Sequence, residues 1–327
     1  MAITTISFLY PGAMGSSLAR VLHQRQPHLT LLTSLTGRSQ KTIDRATSCG
    51  LQNVPLPDLV SRSDLIISIL PPSAATTLAK QIVSVLPTVT RVSSDPPIYL
   101  DANAISPDTV AAISKIVQEH GIPFIDGGVF GLPATEDGSS IPKLYLSAAP
   151  ETEDKMKEVA EVLTGGGEGK GLKVPTLEGA GVGGASALKM CFGGINKGLI
   201  GLASVAVLAA QAHSPGTAKA LMELLAQAKP DLLQGFTKSF PDSVNKAYRW
   251  VGEMEEVSAF ITASLLPTAP KDGPSPADTY KGLAQVFQRV ADSYDASESG
   301  REGGEDVTTL LDWAEESKKI LDAKKGS

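Results

Sequence analysis

Ile3-Thr4-Thr5-Ile6-Ser7-Phe8-Leu9-Tyr10-Pro11-Gly12-Ala13-Met14-Gly15-Ser16 sets a strand-length apolar run against a turn carrying two glycines. From Ser16 to Arg25 the period changes: Leu18, Val21 and Leu22 share one helical face, and Arg20, Gln24 and Arg25 another. Strand, glycine turn and helix in this order form a dinucleotide-binding unit. Its glycines let the backbone bend sharply and bring a pyrophosphate to the free N–H groups of a helix N-terminus. Gly12 and Gly15 stand at the second and third glycine positions, while Tyr10 occupies the first, so the motif is incomplete. Tyr10, Pro11, Gly12, Ala13, Met14 and Gly15 are thus expected to hold a cofactor.

Working outward, Leu29 to Thr33, Leu65 to Leu70, Pro97 to Asp101 and Pro123 to Val129 are further strand candidates, with a helix from Pro107 to His120. Apolar runs alternating with helical patterns predict an α/β fold, a doubly wound parallel sheet with helices on both faces. Leu144 to Ser147 and Leu172 to Val174, flanking a helix from Glu151 to Leu163, are expected to extend one edge. Beyond Pro175 the pattern is helical, beginning with a proline-free apolar stretch from about Gly181 to Ala212. Helices are expected at 215–228, 231–240, 243–265, 277–294 and 307–323, with Pro267, Pro270, Pro274 and Pro276 in one loop. The predicted domains are 1–178, dinucleotide-binding, and 179–327, all-helical, for substrate and dimerisation.

Composition narrows the function. The 327 residues carry 29 Lys+Arg against 35 Asp+Glu, a net charge of −6, which excludes the basic field of a nucleic-acid binder. Cys49 and Cys191 lie too far apart for a zinc motif or a disulfide framework, and the four histidines have no ligand spacing, so no metal is expected. No basic region precedes the first apolar run, so no signal peptide is expected. The uncharged part of the long helix, Gly198 to Ala212, is shorter than the ~20 residues of a membrane span, and a buried core helix is expected instead. Together these features predict a reduced, soluble, cytoplasmic protein.

Two further segments refine the chemistry. Thr36-Gly37-Arg38-Ser39-Gln40-Lys41-Thr42 follows the second strand with no carboxylate before Asp44. An NAD site puts an acid there for the ribose hydroxyl. Arg38, Ser39 and Thr42 instead suit a 2′-phosphate, which makes NADP the expected cofactor and NAD the lesser one. Leu70 and Pro71, where the next apolar run stops, complete the candidate cofactor contacts with Asn103. Ser186, Lys189, Gly193 and Asn196 recur at i, i+3, i+7 and i+10, one helix face that joins an amine to a hydroxyl and an amide. A lysine in so apolar a stretch is costly unless it is paired or working, and burial would lower its pKa toward proton exchange with a substrate hydroxyl.

The Gly-x-x-Gly turn, Asp101-Ala102-Asn103, Asp126-Gly127-Gly128-Val129-Phe130-Gly131 and the Gly-x-Gly-x-x-x-Lys helix resemble the β-hydroxyacid dehydrogenase and 6-phosphogluconate dehydrogenase superfamily. Lys189-Met190-Cys191-Phe192-Gly193-Gly194 and Trp250-Val251-Gly252-Glu253-Met254 look like its branch with a poorly characterised C-terminal domain. The resemblance implies a Rossmann domain, a long interdomain helix and a helical domain. It also implies hydride transfer between NAD(P) and a 3-hydroxy acid, with Lys189 as general acid/base and Asn103 beside nicotinamide and substrate. Val129, Phe130 and Gly131 match its substrate loop, and Phe192, Gly193 and Asn196 stand where the phosphogluconate enzymes carry His, Asn and Glu. Those replacements remove polar groups, so a pocket walled by Phe130, Leu132, Phe192, Trp250 and Met254, with Ser186, suits a bulkier and less charged small molecule. A homodimer is expected from the resemblance and from the apolar surface of the long helix. The alternatives are imine or enamine reduction and a non-catalytic NADP sensor.

Overall fold

The computed structural model describes residues 3–265 and 275–325. Pro267, Pro270 and Pro274, expected in one loop, lie outside the described residues. The chain divides into two compact units, 1–189 and 190–327.

In the first unit, β1 (Thr5–Leu9) runs into α1 (Ala13–Arg25), then β2 (Thr30–Thr33), α2 (Gln40–Ser48), β3 (Gln52–Asn53) and α3 (Leu56–Arg62). The chain continues through β4 (Leu65–Ser68), α4 (Pro72–Val85), β5 (Ile98–Asp101), α5 (Pro107–Gln118), β6 (Phe124–Phe130), β7 (Lys143–Ser147) and α6 (Glu153–Thr164). The seven strands lie in the order β3-β2-β1-β4-β5-β6-β7. All pairings are parallel except β6 with β7. That is the doubly wound arrangement, whose order reverses beside β1.

Alternation along the strands builds two cores. Ile6, Phe8, Ile67 and Leu100 face Leu18, Leu22, Met156 and Val159 of α1 and α6. Leu9, Ile66, Tyr99 and Phe124 face Leu59, Leu78, Ile82, Val110 and Ile113 of α3, α4 and α5. A sheet buried on both faces explains why its strands read as continuous apolar runs.

The expected edge strand at Leu172 to Val174 does not form. Lys173 and Thr176 make only isolated bridges to Lys143 and Leu146. The segment reaches β7 through Leu144 N–H to the Lys173 carbonyl, Leu146 N–H to that of Pro175 and Leu177 N–H to that of Leu146.

The second unit is helical. α7 (Gly184–His213) is followed by α8 (Pro215–Ala228), α9 (Pro230–Val244), α10 (Ala247–Leu265), α11 (Asp278–Glu298) and α12 (Glu305–Lys325). α9 runs past Pro241 to Val244 rather than stopping at Phe240, because Phe240 and Val244 are both anchored in the helical core. α7 is long and apolar enough by composition to cross a membrane. It packs one face, Met190, Ile200 and Val207, into the helical core. Phe192, Ile195, Leu199, Leu202 and Val205 stand exposed on this chain.

Candidate functional site

The parallel strands of the first unit end along one edge, and the sequence-predicted residues of that unit collect there. Tyr10 follows β1, Arg38 follows β2, Leu70 follows β4, Asn103 follows β5, and Val129 and Phe130 close β6. In open α/β sheets this edge, at the reversal of strand order, is where ligands bind.

The β1–α1 turn is shaped for close approach. A Cβ on Gly15 would come 2.7 Å from Ile69 Cγ2 and 3.0 Å from Pro11 Cβ, so only glycine lets α1 start this close to the end of β4. Gly12 precedes α1 at its N-cap and has no side chain to cap it, and the first turn carries no acidic residue. The helix therefore presents uncapped N–H groups and the positive end of its dipole along the strand edge. Arg45 of α2 reaches back to the Pro11 carbonyl (3.4 Å), and its buried Nε finds no partner among the described residues. The sequence reading missed this second cation at the turn, since its period marked it only as a position on a polar helix.

Beside the turn, Tyr10, Thr36, Gly37, Arg38, Leu70 and Thr77 are among the residues lining a cavity of about 290 Å³. The Arg38 guanidinium lies over the Tyr10 ring, 4.9 Å from its centroid. Ser39 Oγ and Thr42 Oγ1 bond to each other (3.1 Å) at the start of α2, and the nearest acid in sequence, Asp44, accepts from Gln40. A nucleotide fits this half of the edge on three counts: the glycine that brings α1 close, the uncapped helix end, and the basic cavity.

Asn103, expected beside nicotinamide and substrate, is buried and both atoms of its amide are engaged within the fold. Its Oδ1 accepts from Leu70 N (2.7 Å), its Nδ2 donates to Ser68 Oγ (2.8 Å), and its own N–H donates to Asp101 Oδ1 (2.9 Å). Asn103 thus fastens the turn after β4 to the end of β5. Asp101 is pushed up to about 7, chiefly by burial and further by Asp126, and its Oδ2 has no partner among the described residues.

The start of α7 is fixed to β6. Asp126 Oδ2 accepts from Ser186 N (2.8 Å) and Oδ1 from Ser186 Oγ (2.7 Å). Ser147 Oγ donates to Asp126 (3.3 Å) and accepts from Ala185 N (2.9 Å). Burial pushes Asp126 up, and the Ser186 and Ser147 donors work against that rise. A Cβ on Gly128 would stand 2.9 Å from the Ala185 carbonyl, so the glycines of this strand allow the helix to lie against it. Ser186 is therefore a buried helix anchor and not the substrate group that its spacing from Lys189 suggested. One turn on, Lys189 Nζ donates to the Val129 carbonyl (2.8 Å), with the Phe130 ring 5.9 Å away. Lys189 is half-buried rather than sunk in a core, because it lies at the strand edge. Phe130 packs edge-on to Tyr145, and Leu132 is 74% exposed.

In the second unit, Asn196 and Phe192 are exposed, and Gly193 lies beside Lys197, whose ammonium pairs with Glu253 and lies over Trp250. Trp250 is largely buried edge-on to Phe287, and Met254 is wholly buried in the helical core. Met254, expected at the pocket wall, thus meets the other helices of its unit with its side chain fully buried. No group of acids, cysteines and histidines suited to a metal ion occurs among the described residues.

A glycine turn that opens onto an uncapped helix, with a cavity beside it where the strand order reverses, is what a dinucleotide-binding α/β domain presents. Residues 5–167 belong to the family described as the NAD binding domain of 6-phosphogluconate dehydrogenase, and residues 212–290 match a domain of unknown function. A search of curated proteins finds no match. Among solved structures, a conserved protein of unknown function, described as structurally similar to 3-hydroxyacid dehydrogenases, has 24% identity and a TM-score of 0.63 over 88% of this chain and 97% of its own. A conserved hypothetical protein from Sinorhizobium meliloti has 19% identity and a TM-score of 0.66 over 95% and 97%. The 3-hydroxyisobutyrate dehydrogenase of Mycobacterium tuberculosis, solved with L-serine, has 16% identity and a TM-score of 0.58 over 94% and 99%. These likenesses are of fold.

Proposed function

We propose that the protein is an NADP-dependent oxidoreductase acting on a hydroxy or keto compound related to the 3-hydroxy acids, with Lys189 as general acid/base. The observation that carries this reading is the Lys189 ammonium at the end of β6, on the edge that also holds the uncapped start of α1. Gly12 to Gly15 would hold the pyrophosphate, with Arg45 as a second cation, while Arg38, Ser39 and Thr42 would hold the 2′-phosphate. Bound there, the nicotinamide supplies or accepts a hydride. Lys189 gives a proton to the substrate oxygen in reduction and takes it back in oxidation, while the Val129 carbonyl orients the ammonium between cycles. Asn103 keeps the Leu70 turn in place rather than exchanging protons.

The same reading takes the protein as a cytoplasmic homodimer, in which a second copy covers Phe192, Ile195, Leu199, Leu202 and Val205. Leu202→Glu should shift the sedimenting species from dimer to monomer.

The test of the reaction is a panel of 3-hydroxy acids, their keto partners and cyclic imines, followed at the nicotinamide absorbance band. Lys189→Met should lower turnover of the oxygen substrates by about 10²- to 10⁴-fold while leaving NADPH affinity within about twofold. Turnover of imines alone, surviving in Lys189→Met, would replace carbonyl chemistry with imine reduction. Binding with no turnover of any kind would leave a sensor.

A further inference from the structure

We propose that Tyr10 is a specificity-determining residue for the 2′-phosphate, acting by holding Arg38 in place. The inference rests on the NADP reading above and adds the device that makes Arg38 selective.

Tyr10 is the only described residue other than glycine with a positive φ, +49°. A side chain in this left-handed region costs on the order of 1 kcal/mol or more, which is why dinucleotide turns ordinarily carry glycine there. Here the strained position carries a large aromatic ring, which does two things. Its face lies under the Arg38 guanidinium, 4.9 Å from the centroid, and Tyr10 lines the same 290 Å³ cavity as Arg38, Thr36 and Thr77. Arg38 is exposed and its guanidinium makes no hydrogen bond or ion pair to a described residue, so without the ring its long side chain would sample many rotamers. Stacked on Tyr10 it is confined to the cavity wall with its donors unspent. A phosphate then meets a guanidinium already ordered, and the ordering entropy is lost on folding rather than on binding. The site thus discriminates between NADPH and NADH through two residues that touch each other across the ends of β1 and β2.

The experiment compares NADPH and NADH affinities by fluorescence titration, with melting temperature as a second readout, in Tyr10→Gly, Tyr10→Asn, Tyr10→Phe and Arg38→Ala. Tyr10→Gly relieves the strained φ and should melt no lower than the parent, yet its NADPH-over-NADH preference should fall about three- to fivefold. Tyr10→Asn, which tolerates the left-handed backbone without a ring, should lose the same preference and carries the test if the glycine variant fails to fold. Tyr10→Phe should keep it. The double variant Tyr10→Gly/Arg38→Ala should lose no more preference than Arg38→Ala alone. If Arg38→Ala abolishes the preference while both ringless variants keep it, or if Tyr10→Phe loses it, the role of Tyr10 is overturned and the NADP reading stands. A parent protein without preference for NADPH, or one whose preference survives Arg38→Ala, would overturn the NADP reading itself.

Discussion

Two helices, α1 and α7, begin within the first unit, and their N-termini are finished in opposite ways. α1 starts behind Gly12 with no side chain over its first amides. At α7 the amides of Ala185 and Ser186 are taken by Ser147 and the buried carboxylate of Asp126. Both ends carry the same partial positive charge and the same need for an acceptor. Where the fold supplies the anion itself, the helix end becomes an anchor, and Lys189 one turn on is held at a fixed point of β6. Where the fold withholds it, the end is left for a ligand's anion. One fold thus uses a single electrostatic feature for orientation and for recognition, and the choice turns on whether the facing strand carries an acid.

Removing the built-in anion should have the largest effect. Asp126→Ala would leave Ser186 N, Ser186 Oγ and Ser147 Oγ facing a buried gap, at a cost of about 4 kcal/mol in denaturant unfolding. A loss below about 1 kcal/mol would mean that the α7 start is not held by this carboxylate.

Asp101, opposite Asp126 in the β5–β6 register, sharpens the contrast, because its Oδ2 has no answering donor among the described residues. Its folded value is raised from 3.8 to about 7, so between those limits the native state keeps a proton that the unfolded chain has released. Stability should therefore fall as pH rises from about 4 to 7, by up to about 4 kcal/mol if this group acted alone, and level off above. Asp101→Asn should flatten most of that slope. A slope unchanged in Asp101→Asn would assign it to Asp126, whose own value is also raised by burial.

The converse of the first experiment supplies α1 with the anion that it lacks. A Cβ on Gly12 meets nothing within 4 Å, so Gly12→Asp fits sterically and stands at the N-cap. The unliganded protein should gain about 1 kcal/mol, while NADPH and NADH should both bind on the order of 100-fold more weakly, since the new carboxylate occupies the place of the diphosphate. Retained affinity would break the comparison at its centre.

Much of this was legible in the sequence, for reasons that the two helix ends make plain. The α1 turn is local: strand, glycines and helix are contiguous, and their spacing alone points to a phosphate. The seam around α7 is not local. Asp126 and Ser147 lie on different strands from the helix they finish, and nothing in the spacing of Ser186 and Lys189 says that the first turns inward while the second stays at the edge. Periodicity assigns a face but not what lies against it. An acid inside the apolar run from Phe124 to Val129 was the available clue, because a buried carboxylate demands donors from somewhere. The missing edge strand at Leu172 to Val174 shows the same limit: an apolar run marks a segment that can lie against a sheet, and only the partner backbone decides whether it makes a ladder or isolated bridges.

The smallest effect tests the seam most finely. Ser147 Oγ serves as both acceptor for Ala185 N and donor to Asp126, so Ser147→Ala removes one bond at each side and should cost about 1 kcal/mol. Asp126 would keep both bonds to Ser186, and Lys189 its bond to Val129, so NADPH affinity should not change. Amide exchange separates the two helix ends directly. The Ala185 amide should be protected in the parent protein without ligand and exchange faster in Ser147→Ala. The Met14 and Gly15 amides, at the uncapped end, should exchange fast without ligand and slow only when NADPH is added. If the α1 amides were already protected in the free protein, or the Ala185 amide became protected only with NADPH, the assignment of one end to the fold and the other to the ligand would be reversed.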